Sequence, residues 1–320
     1  MPTRTYAEAA RDALAAAMRQ DPSIWCVGED LGRGGVFGQY KGLAEEFGPA
    51  RVSDAPISEA AIMGVAFGAA MVGTRPVVEM RFADFALCAT DELVNQVAKA
   101  RFMFGGQSRA PMVIRKPMGM WRSSAAQHSQ SLESWYAHIP GLVVAVPSTP
   151  QDNHTLMRAA LQADDPVVYL EHKDIWATEG DIDPEEPYDW GTARTRHEGD
   201  DVTIVAWSDA ANRAEAAARA LATEGIGAHV LDLRTLWPWD RDAVCESAAR
   251  TGRLLVAHES VAVAGFGAEV VASVVQEVPL RAPPRRLGAP RSLIPYAPNL
   301  EDMLRVTPDM IVQAAREMCA

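Results

Sequence analysis

The sequence predicts an α/β protein with two doubly wound domains, a larger one followed by a smaller one. Short β-branched runs alternate with helical patterns along the chain, which is typical of parallel sheets covered by helices. The 320 residues suffice for two domains that each bury a core. Between Asp174 and Asp201 ten acidic residues stand against two arginines, and this stretch divides the runs into two groups. We therefore expect domains at 1–178 and 201–320, joined by an acidic linker at 179–200.

Eight runs have the length and composition of buried strands. In chain order the predicted strands are Ile24–Glu29, Val77–Phe82, Met112–Arg115, Leu142–Val146, Val167–Glu171, Val202–Trp207, His229–Leu233 and Leu254–His258.

Helix starts are marked between these runs. Thr5 and Glu8 have the spacing of a capping box. Thr90 precedes two acids and predicts another helix start. Thr149-Pro150 and Thr307-Pro308 place a capping residue directly before proline, which is typical of the first turn of a helix.

Composition excludes several classes of protein. A formal net charge of −12 argues against binding to nucleic acid or to an anionic membrane, because both favour basic surfaces. The four cysteines are scattered without a CxxC pair, so we expect free thiols in a reducing cytoplasm. The charged, alanine-rich start of the chain does not have the pattern of a signal peptide.

The first functional candidate is Glu59, which leads into an uncharged helical segment from Ala60 to Thr74. A carboxyl group on the first turn of so apolar a helix is expected to be shielded from water, which favours its protonated form and suits it to proton chemistry. The alternative is an acid that stabilises a helix N-terminus capped by Ser58. The small residues on every side of this helix favour burial against another subunit, although a central core helix remains an alternative.

Two further candidates follow predicted strands. His128 lies in the polar run Gln127–Ser131. The hydrogen-bonding neighbours either fix the imidazole tautomer for a functional role, or the histidine only bonds the local backbone. Phe85 ends the run Phe82–Phe85 and either stacks on a flat heterocycle or belongs to the core. Ligands of open α/β sheets bind at the carboxyl ends of strands, where both residues are expected.

Taken together, these segments resemble the β-subunits of thiamine-diphosphate-dependent 2-oxo acid dehydrogenases, which belong to the transketolase-like family. The similarity extends over nearly the whole chain in family order. The matching stretches are Gly28–Gly32, Gly34–Phe37, Pro56–Ala61, Phe82–Phe85, Asn95–Lys99, Gln127–Gln130, Pro140–Leu142, Asp232–Leu236, His258-Glu259 and Gly265–Glu269.

This resemblance implies a role for each candidate. The family glutamate matched by Glu59 contacts the pyrimidine nitrogen of thiamine diphosphate and promotes its imino tautomer. Phe85 matches the aromatic residue beside the pyrimidine. His128 matches the histidine near the reacting carbon, which serves substrate binding or acyl transfer to a lipoyl group. The larger domain would then be a pyrimidine-binding domain and the smaller one a transketolase C-terminal-like domain.

The resemblance also implies a partner chain. Enzymes of this type hold the diphosphate through Mg²⁺ with a Gly-Asp-Gly motif, and here neither Gly180-Asp181 nor Gly199-Asp200 continues as that motif. An α-subunit is therefore expected to hold the diphosphate and Mg²⁺, in an α2β2 heterotetramer with shared active sites. A lipoyl acyltransferase core is a further partner implied by the family.

Three departures bear on the details. The family's potassium site matches Ala160, Leu161 and Asp165, but its aspartate is replaced by Ala163, so K⁺ is not expected to bind in the usual way. The family's glycine-rich loop contains Trp121 and Arg122 here, and Arg122 either pairs with a substrate carboxylate or points to solvent. The segment 288–292 lacks the family's aspartate, which weakens the case for a multienzyme core.

The leading hypothesis is the β-subunit of a 2-oxo acid or acetoin dehydrogenase component that transfers an acyl group to lipoamide. The first alternative is a two-subunit thiamine-diphosphate synthase that transfers an acyloin or ketol unit without lipoamide. The second alternative is a non-catalytic assembly subunit, against which the joint presence of Glu59, Phe85 and His128 argues.

Overall fold

The computed structural model describes all 320 residues and divides into two compact units. The N-terminal unit comprises residues 1–118 and 135–188, and the C-terminal unit comprises residues 119–134 and 189–320. Each unit contains a largely parallel sheet, which confirms the predicted α/β class. The loop at 119–134 therefore interrupts the N-terminal unit and belongs to the other one.

The strands are β1 (Thr3–Thr5), β2 (Ile24–Gly28), β3 (Val52–Asp54), β4 (Arg75–Glu79), β5 (Val113–Met118), β6 (Val143–Ala145), β7 (Val167–His172), β8 (Glu179–Asp181), β9 (Arg194–His197), β10 (Val202–Ala206), β11 (Ala228–Asp232), β12 (Thr235–Trp237), β13 (Leu254–Val261) and β14 (Arg285–Ala289). The α-helices are α1 (Tyr6–Gln20), α2 (Leu43–Phe47), α3 (Glu59–Met71), α4 (Ala100–Met103), α5 (Glu133–Ala137), α6 (Pro150–Gln162), α7 (Asp209–Thr223), α8 (Arg241–Thr251), α9 (Phe266–Glu277), α10 (Pro298–Asp302) and α11 (Pro308–Cys319).

In the N-terminal unit six strands pair in parallel in the order β6-β7-β5-β4-β2-β3. Every residue of β5 and β7 is buried, as expected for central strands covered on both faces. The predicted strand Met112–Arg115 extends to Met118, so Lys116 and Pro117 lie inside the strand. The predicted strand Val77–Phe82 is shifted, because the chain leaves the sheet after Glu79.

Three of the four predicted helix starts are correct. The Thr5 hydroxyl accepts from the Glu8 amide while the Glu8 carboxylate accepts from the Thr5 amide, which completes the capping box of α1. Thr149 caps α6 and Thr307 caps α11, and the hydroxyl of each accepts from a backbone amide of the first turn. Each satisfies an amide of the first turn that would otherwise lack a partner.

The predicted start at Thr90 is wrong. A 3-10 helix at Phe85–Ala89 runs directly into Thr90, whose φ of −63° and ψ of −42° are helical, whereas a capping residue needs an extended backbone. Its hydroxyl instead donates to the Leu87 carbonyl oxygen at 2.6 Å. Ser58 precedes α3 but makes no capping hydrogen bond, so that part of the alternative interpretation of Glu59 is also wrong.

The acidic stretch at 179–200 contributes a strand to each unit. Within the N-terminal unit β8 pairs antiparallel with β1, and within the C-terminal unit β9 pairs antiparallel with β11. Both are edge strands, with Glu179 and Asp181 of β8 exposed and the arginines of β9 half-buried. The segment between the two, 182–193, contains the boundary of the units at Tyr188 and Asp189.

The C-terminal unit has a five-stranded sheet in the order β14-β13-β10-β11-β9, in which only β9 is antiparallel. Small residues of α7 pack with α11 against one face of this sheet. The resulting core is almost wholly alanine, valine, leucine and isoleucine. No helix in the chain combines the length and the apolar character that crossing a bilayer requires.

Candidate functional site

Glu59 is the first residue of α3 and is half-buried. The rest of α3 is uncharged, and its inward face buries Ile62, Met63 and Ala66. The opposite face is also apolar but exposed, with Gly64 and Gly68 beside Val65, which is 61% exposed. A helix that is apolar on both faces requires a second packing surface, so burial against another subunit stays the favoured prediction.

The turn before α3 is tied to the glycine-rich loop at residues 31–42. The Asp54 carboxylate at the end of β3 accepts from the Gly32 amide at 2.9 Å. A Cβ atom at position 32 would lie 2.7 Å from Asp54 Oδ2, so a larger residue would require this carboxylate to shift. The loop is therefore held to the end of β3, shortly before α3 begins.

Phe85 opens the 3-10 helix that packs against α3. Its half-buried ring meets the Phe82 ring edge to face, with the centroids 5.2 Å apart. The structure thus brings the elements that carry Glu59 and Phe85 together in one unit. A half-buried carboxyl group and an aromatic ring on neighbouring elements suit a flat nitrogen heterocycle, since one exchanges a proton and the other stacks.

His128 lies in the loop at 119–134 of the C-terminal unit and is half-buried. Arg122, Ser123 and Ala125 before it have φ values of 45°, 60° and 60°. Three non-glycine residues in this sparsely populated region need strong support from their surroundings.

Two buried or half-buried glutamates of the C-terminal unit supply that support. Glu259 Oε1 accepts from the Met120 amide at 2.8 Å and from the Ser131 hydroxyl at 3.1 Å. Glu301, only 3% exposed, accepts from the Ser123 amide at 3.0 Å. The loop is thus fixed on both sides of His128 by carboxylates that sequence reasoning did not select.

Trp121 and Arg122 of the same loop contact each other. The Arg122 guanidinium lies over the Trp121 ring, 5.3 Å from its centroid, and the arginine is exposed. This cation–π contact places the charge at the surface of the C-terminal unit. The arrangement agrees with the interpretation that Arg122 points to solvent.

Sequence reasoning also missed a network of buried charges in the N-terminal sheet. Arg115 is fully buried and pairs through two nitrogens with the carboxylate of Glu171, also fully buried. Glu79, 3% exposed, accepts from the Tyr40 hydroxyl at 2.9 Å and from the Gln39 side-chain amide at 3.2 Å. The Arg115 guanidinium pairs with Glu171, so the hydrogen bonds to the Glu79 carboxyl group come from the neutral side chains of Gln39 and Tyr40.

Burial raises the pKa of Glu79 to about 7, against the opposing attraction of Arg115. A signal for the network was present in the sequence, since β4, β5 and β7 each place a charged residue within an apolar run. Only the order of the strands shows that these charges are neighbours.

Of the residues considered for the potassium site, Asp165 and Ala163 are engaged by arginines. Arg101 pairs with Asp165 at 3.1 Å. Arg75 donates to the Ala163 carbonyl oxygen at 2.8 Å and to Asp164 at 3.1 Å. The Ala160 carbonyl oxygen accepts from the Ala163 amide at 3.3 Å. The guanidinium groups of Arg75 and Arg101 thus place positive charge beside the residues that were considered for a potassium site.

The chain matches two domain families in sequence. The pyrimidine-binding domain of transketolase matches residues 3–177, and the transketolase C-terminal domain matches residues 191–311. Together these matches cover most of the chain and agree with the two α/β units.

Curated relatives are similar over nearly their full length. The chain is 39% identical to the 2-oxoisovalerate dehydrogenase subunit beta of Bacillus subtilis, covering 99% of both chains. It is 40% identical to the acetoin:2,6-dichlorophenolindophenol oxidoreductase subunit beta of Cupriavidus necator, covering 97% of this chain and 95% of that one. It is also 40% identical to the pyruvate dehydrogenase E1 component subunit beta of Rickettsia bellii, covering 98% of each.

Solved structures agree with these matches. A split-gene transketolase, described as an inactive β4 tetramer, superposes with a TM-score of 0.83 at 25% identity, covering 98% of this chain and 97% of that one. A transketolase from Leishmania mexicana shares the fold, with a TM-score of 0.75 at 18% identity, covering 100% of this chain and 46% of that one. The chain therefore belongs to the transketolase-like family of β-subunits of thiamine-diphosphate-dependent 2-oxo acid and acetoin dehydrogenases.

Proposed function

We propose that this chain supplies the proton-transfer half of a thiamine-diphosphate site in a 2-oxo acid or acetoin dehydrogenase component that acylates lipoamide. The observation that carries the proposal is the packing of α3, with Glu59 on its first turn, against the 3-10 helix of Phe85. The full-length similarity to dehydrogenase β-subunits supports it.

Glu59 would share a proton with the pyrimidine nitrogen, because its half-buried carboxyl group opens the apolar helix α3 beside Phe85's 3-10 helix. The Phe85 ring would orient the pyrimidine by stacking. His128, held in its loop by Glu259 and Glu301, would serve acyl transfer to the lipoyl group. When bound, thiamine diphosphate supplies the electron sink for cleavage of the bond next to the carbonyl.

An α-subunit would complete the site. The chain contains no Gly-Asp-Gly motif, so the partner would hold the diphosphate and Mg²⁺. The exposed apolar face of α3 provides a surface for assembly into an α2β2 heterotetramer. All four cysteines are free, which agrees with a cytoplasmic assembly.

We further propose that the assembly works without potassium. The Arg75 and Arg101 guanidinium groups already hold Ala163, Asp164 and Asp165. Replacing KCl by NaCl or choline chloride at equal ionic strength should change the melting temperature and turnover of the reconstituted complex little. A loss of activity that only K⁺ restores would contradict this proposal.

The role of Glu59 is tested in the reconstituted complex of this chain with its α-subunit. Decarboxylation is followed with an artificial electron acceptor for wild type, Glu59→Gln and the control Glu45→Gln, which changes an exposed acid on the first turn of α2. We expect Glu59→Gln to lower kcat by about 10²–10⁴-fold and the control to leave it unchanged. Near wild-type turnover of Glu59→Gln would refute the role.

Lipoamide transfer is tested separately. Product analysis with and without a lipoylated acceptor domain should show acyl-lipoamide in the first case. A condensation product with an aldehyde or ketone, formed equally well without the acceptor, would instead establish the two-subunit synthase. A His128→Ala variant should lose transfer to lipoamide while it retains reduction of the artificial acceptor.

A further inference from the structure

Glu79 ends β4 in the middle of the N-terminal sheet, between Gly28 of β2 and Arg115 of β5. A Cβ atom at position 28 would lie 2.8 Å from the Glu79 Cβ and 2.7 Å from its carbonyl oxygen. The glycine therefore makes room for an acid in a close-packed sheet. A buried carboxyl group at such a place is costly unless it forms specific hydrogen bonds.

The partners of Glu79 both come from the glycine-rich loop at 31–42. Tyr40 is fully buried and Gln39 is 2% exposed, and each donates to one oxygen of the Glu79 carboxyl group. Within the loop Gly34, Gly35 and Gly38 all have φ values between 77° and 97°, and backbone hydrogen bonds such as that from the Tyr40 amide to the Gly34 carbonyl oxygen at 2.8 Å close its turns. The two contacts with Glu79 fasten the C-terminal side of this glycine-rich loop to the sheet.

Gln39 passes this constraint to an aromatic side chain. Its side-chain oxygen accepts from the Phe37 amide at 3.0 Å, while its side-chain nitrogen donates to Glu79. The Phe37 ring meets the Phe82 ring edge to face at 5.7 Å, and Phe82 meets Phe85 at 5.2 Å. A continuous series of contacts leads from the buried carboxyl group to the aromatic ring of the candidate site.

We propose that Glu79 is a positioning residue, which fixes the loop at 31–42 through Gln39 and Tyr40 and so holds Phe37 and Phe82 behind Phe85. The part of this inference that concerns the pyrimidine rests on the proposed function. The part that concerns the loop does not, because it involves only contacts within the N-terminal unit.

The first experiment measures amide hydrogen exchange of the full chain without cofactor. The variants are Gln39→Leu, Glu79→Gln and the milder Tyr40→Phe. The matched control is Tyr6→Phe, which removes a buried hydroxyl that donates to the Pro147 carbonyl oxygen at 3.1 Å elsewhere in the same unit. We expect exchange to accelerate about tenfold in peptides covering residues 31–42 of the three variants and not of the control.

The second experiment titrates thiamine diphosphate into the reconstituted complex. Phe85 would be displaced rather than removed, so the half-saturating cofactor concentration should rise about tenfold while kcat stays within about twofold of wild type. The control should change neither quantity. If the network only stabilised the fold, the variants would contain less active enzyme, and the half-saturating cofactor concentration would not rise.

Unchanged exchange at 31–42 in all three variants would overturn the proposal, as would equal acceleration in Tyr6→Phe. Tyr40→Phe removes a single hydroxyl and so decides the question if Gln39→Leu fails to fold. If the wild-type complex binds no thiamine diphosphate, the proposed function fails, and the exchange measurement still decides whether Glu79 fixes the loop.

Discussion

The central strands of the two sheets carry different kinds of buried polar group. The N-terminal sheet encloses ionisable side chains there: Arg115, Glu171 and Glu79 are all less than 4% exposed. The central strand of the C-terminal sheet, β10, carries a neutral group, because the Thr203 hydroxyl meets the α8 hydroxyls of Ser247 at 2.7 Å and Thr251 at 2.9 Å, while Asp232 and His258 are buried on the strands beside it. Hydroxyl groups cost little to desolvate when they pair with one another, whereas buried charges depend on every partner.

The buried charged network of the N-terminal unit lies close to the candidate site residue Phe85, whereas the hydroxyl cluster of the C-terminal unit does not hold the His128 loop. In the N-terminal unit the charged network lies next to the loop and the aromatic residues behind Phe85. In the C-terminal unit the hydroxyl cluster lies between β10 and α8, while the carboxylates that hold the His128 loop come from Glu259 and Glu301. Buried ionic groups restrict geometry more than they add stability, so we expect them where precise placement matters.

The largest difference should appear when one charge is removed. Arg115→Met leaves Glu171 and Glu79 buried without their guanidinium, and we expect the free energy of unfolding to fall by about 3–5 kcal/mol. Thr203→Val removes hydroxyl contacts from the C-terminal sheet and should cost about 1–2 kcal/mol. Urea unfolding at pH 7 measures both. Equal losses would show that the two sheets tolerate their polar groups alike.

The two units should also respond to pH in opposite directions. Burial raises the pKa of Glu79 to about 7, above its usual value of about 4.3 in the unfolded chain, so its contribution to stability is present at low pH and is lost as pH rises through 7. The groups around it that carry or gain charge are Arg115, Glu171 and Tyr40. Burial lowers the pKa of His258 to about 4, so its contribution is lost as pH falls from about 6.5 to 4.

Each contribution to the free energy of unfolding amounts to at most about 4 kcal/mol. Urea unfolding of Glu79→Gln from pH 4 to 9 should lack the part of the wild-type loss of stability that occurs as pH rises from about 4.3 to 7. Urea unfolding of His258→Asn should lack the part of the wild-type loss of stability that occurs as pH falls from about 6.5 to 4. A variant whose pH profile parallels that of wild type would refute the corresponding assignment.

The smallest expected effects concern the helix caps. Thr149 accepts from the Asp152 amide at 3.0 Å and donates to its buried carboxylate at 2.7 Å. Thr307 accepts from the Met310 amide at 3.3 Å. We expect Thr149→Ala to cost about 2 kcal/mol and Thr307→Ala about 1 kcal/mol or less. The reverse order in thermal unfolding would show that burial of Asp152 does not strengthen the N-terminal cap.

Features that depend on near neighbours in sequence were predictable. Three capping threonines and the two-domain α/β class follow from residue patterns within a few positions, and the structure contains all of them. The start at Thr90 failed because a 3-10 helix upstream already supplies its first turn, and a residue pattern does not reveal whether the preceding backbone is extended. The roles of Glu59, Phe85 and His128 stay predictions for the experiments above.

The sequence by itself determined the fold class, the starts of three helices, the apolar setting of Glu59 and the family. The tertiary structure alone decided which distant residues meet. Arg115 reaches Glu171 because β5 lies beside β7, with β6 outside them, and the loop of His128 belongs to the C-terminal unit although it leaves an N-terminal strand. Helix caps are satisfied within one turn of chain, whereas strand order is set by crossover connections that no local pattern records.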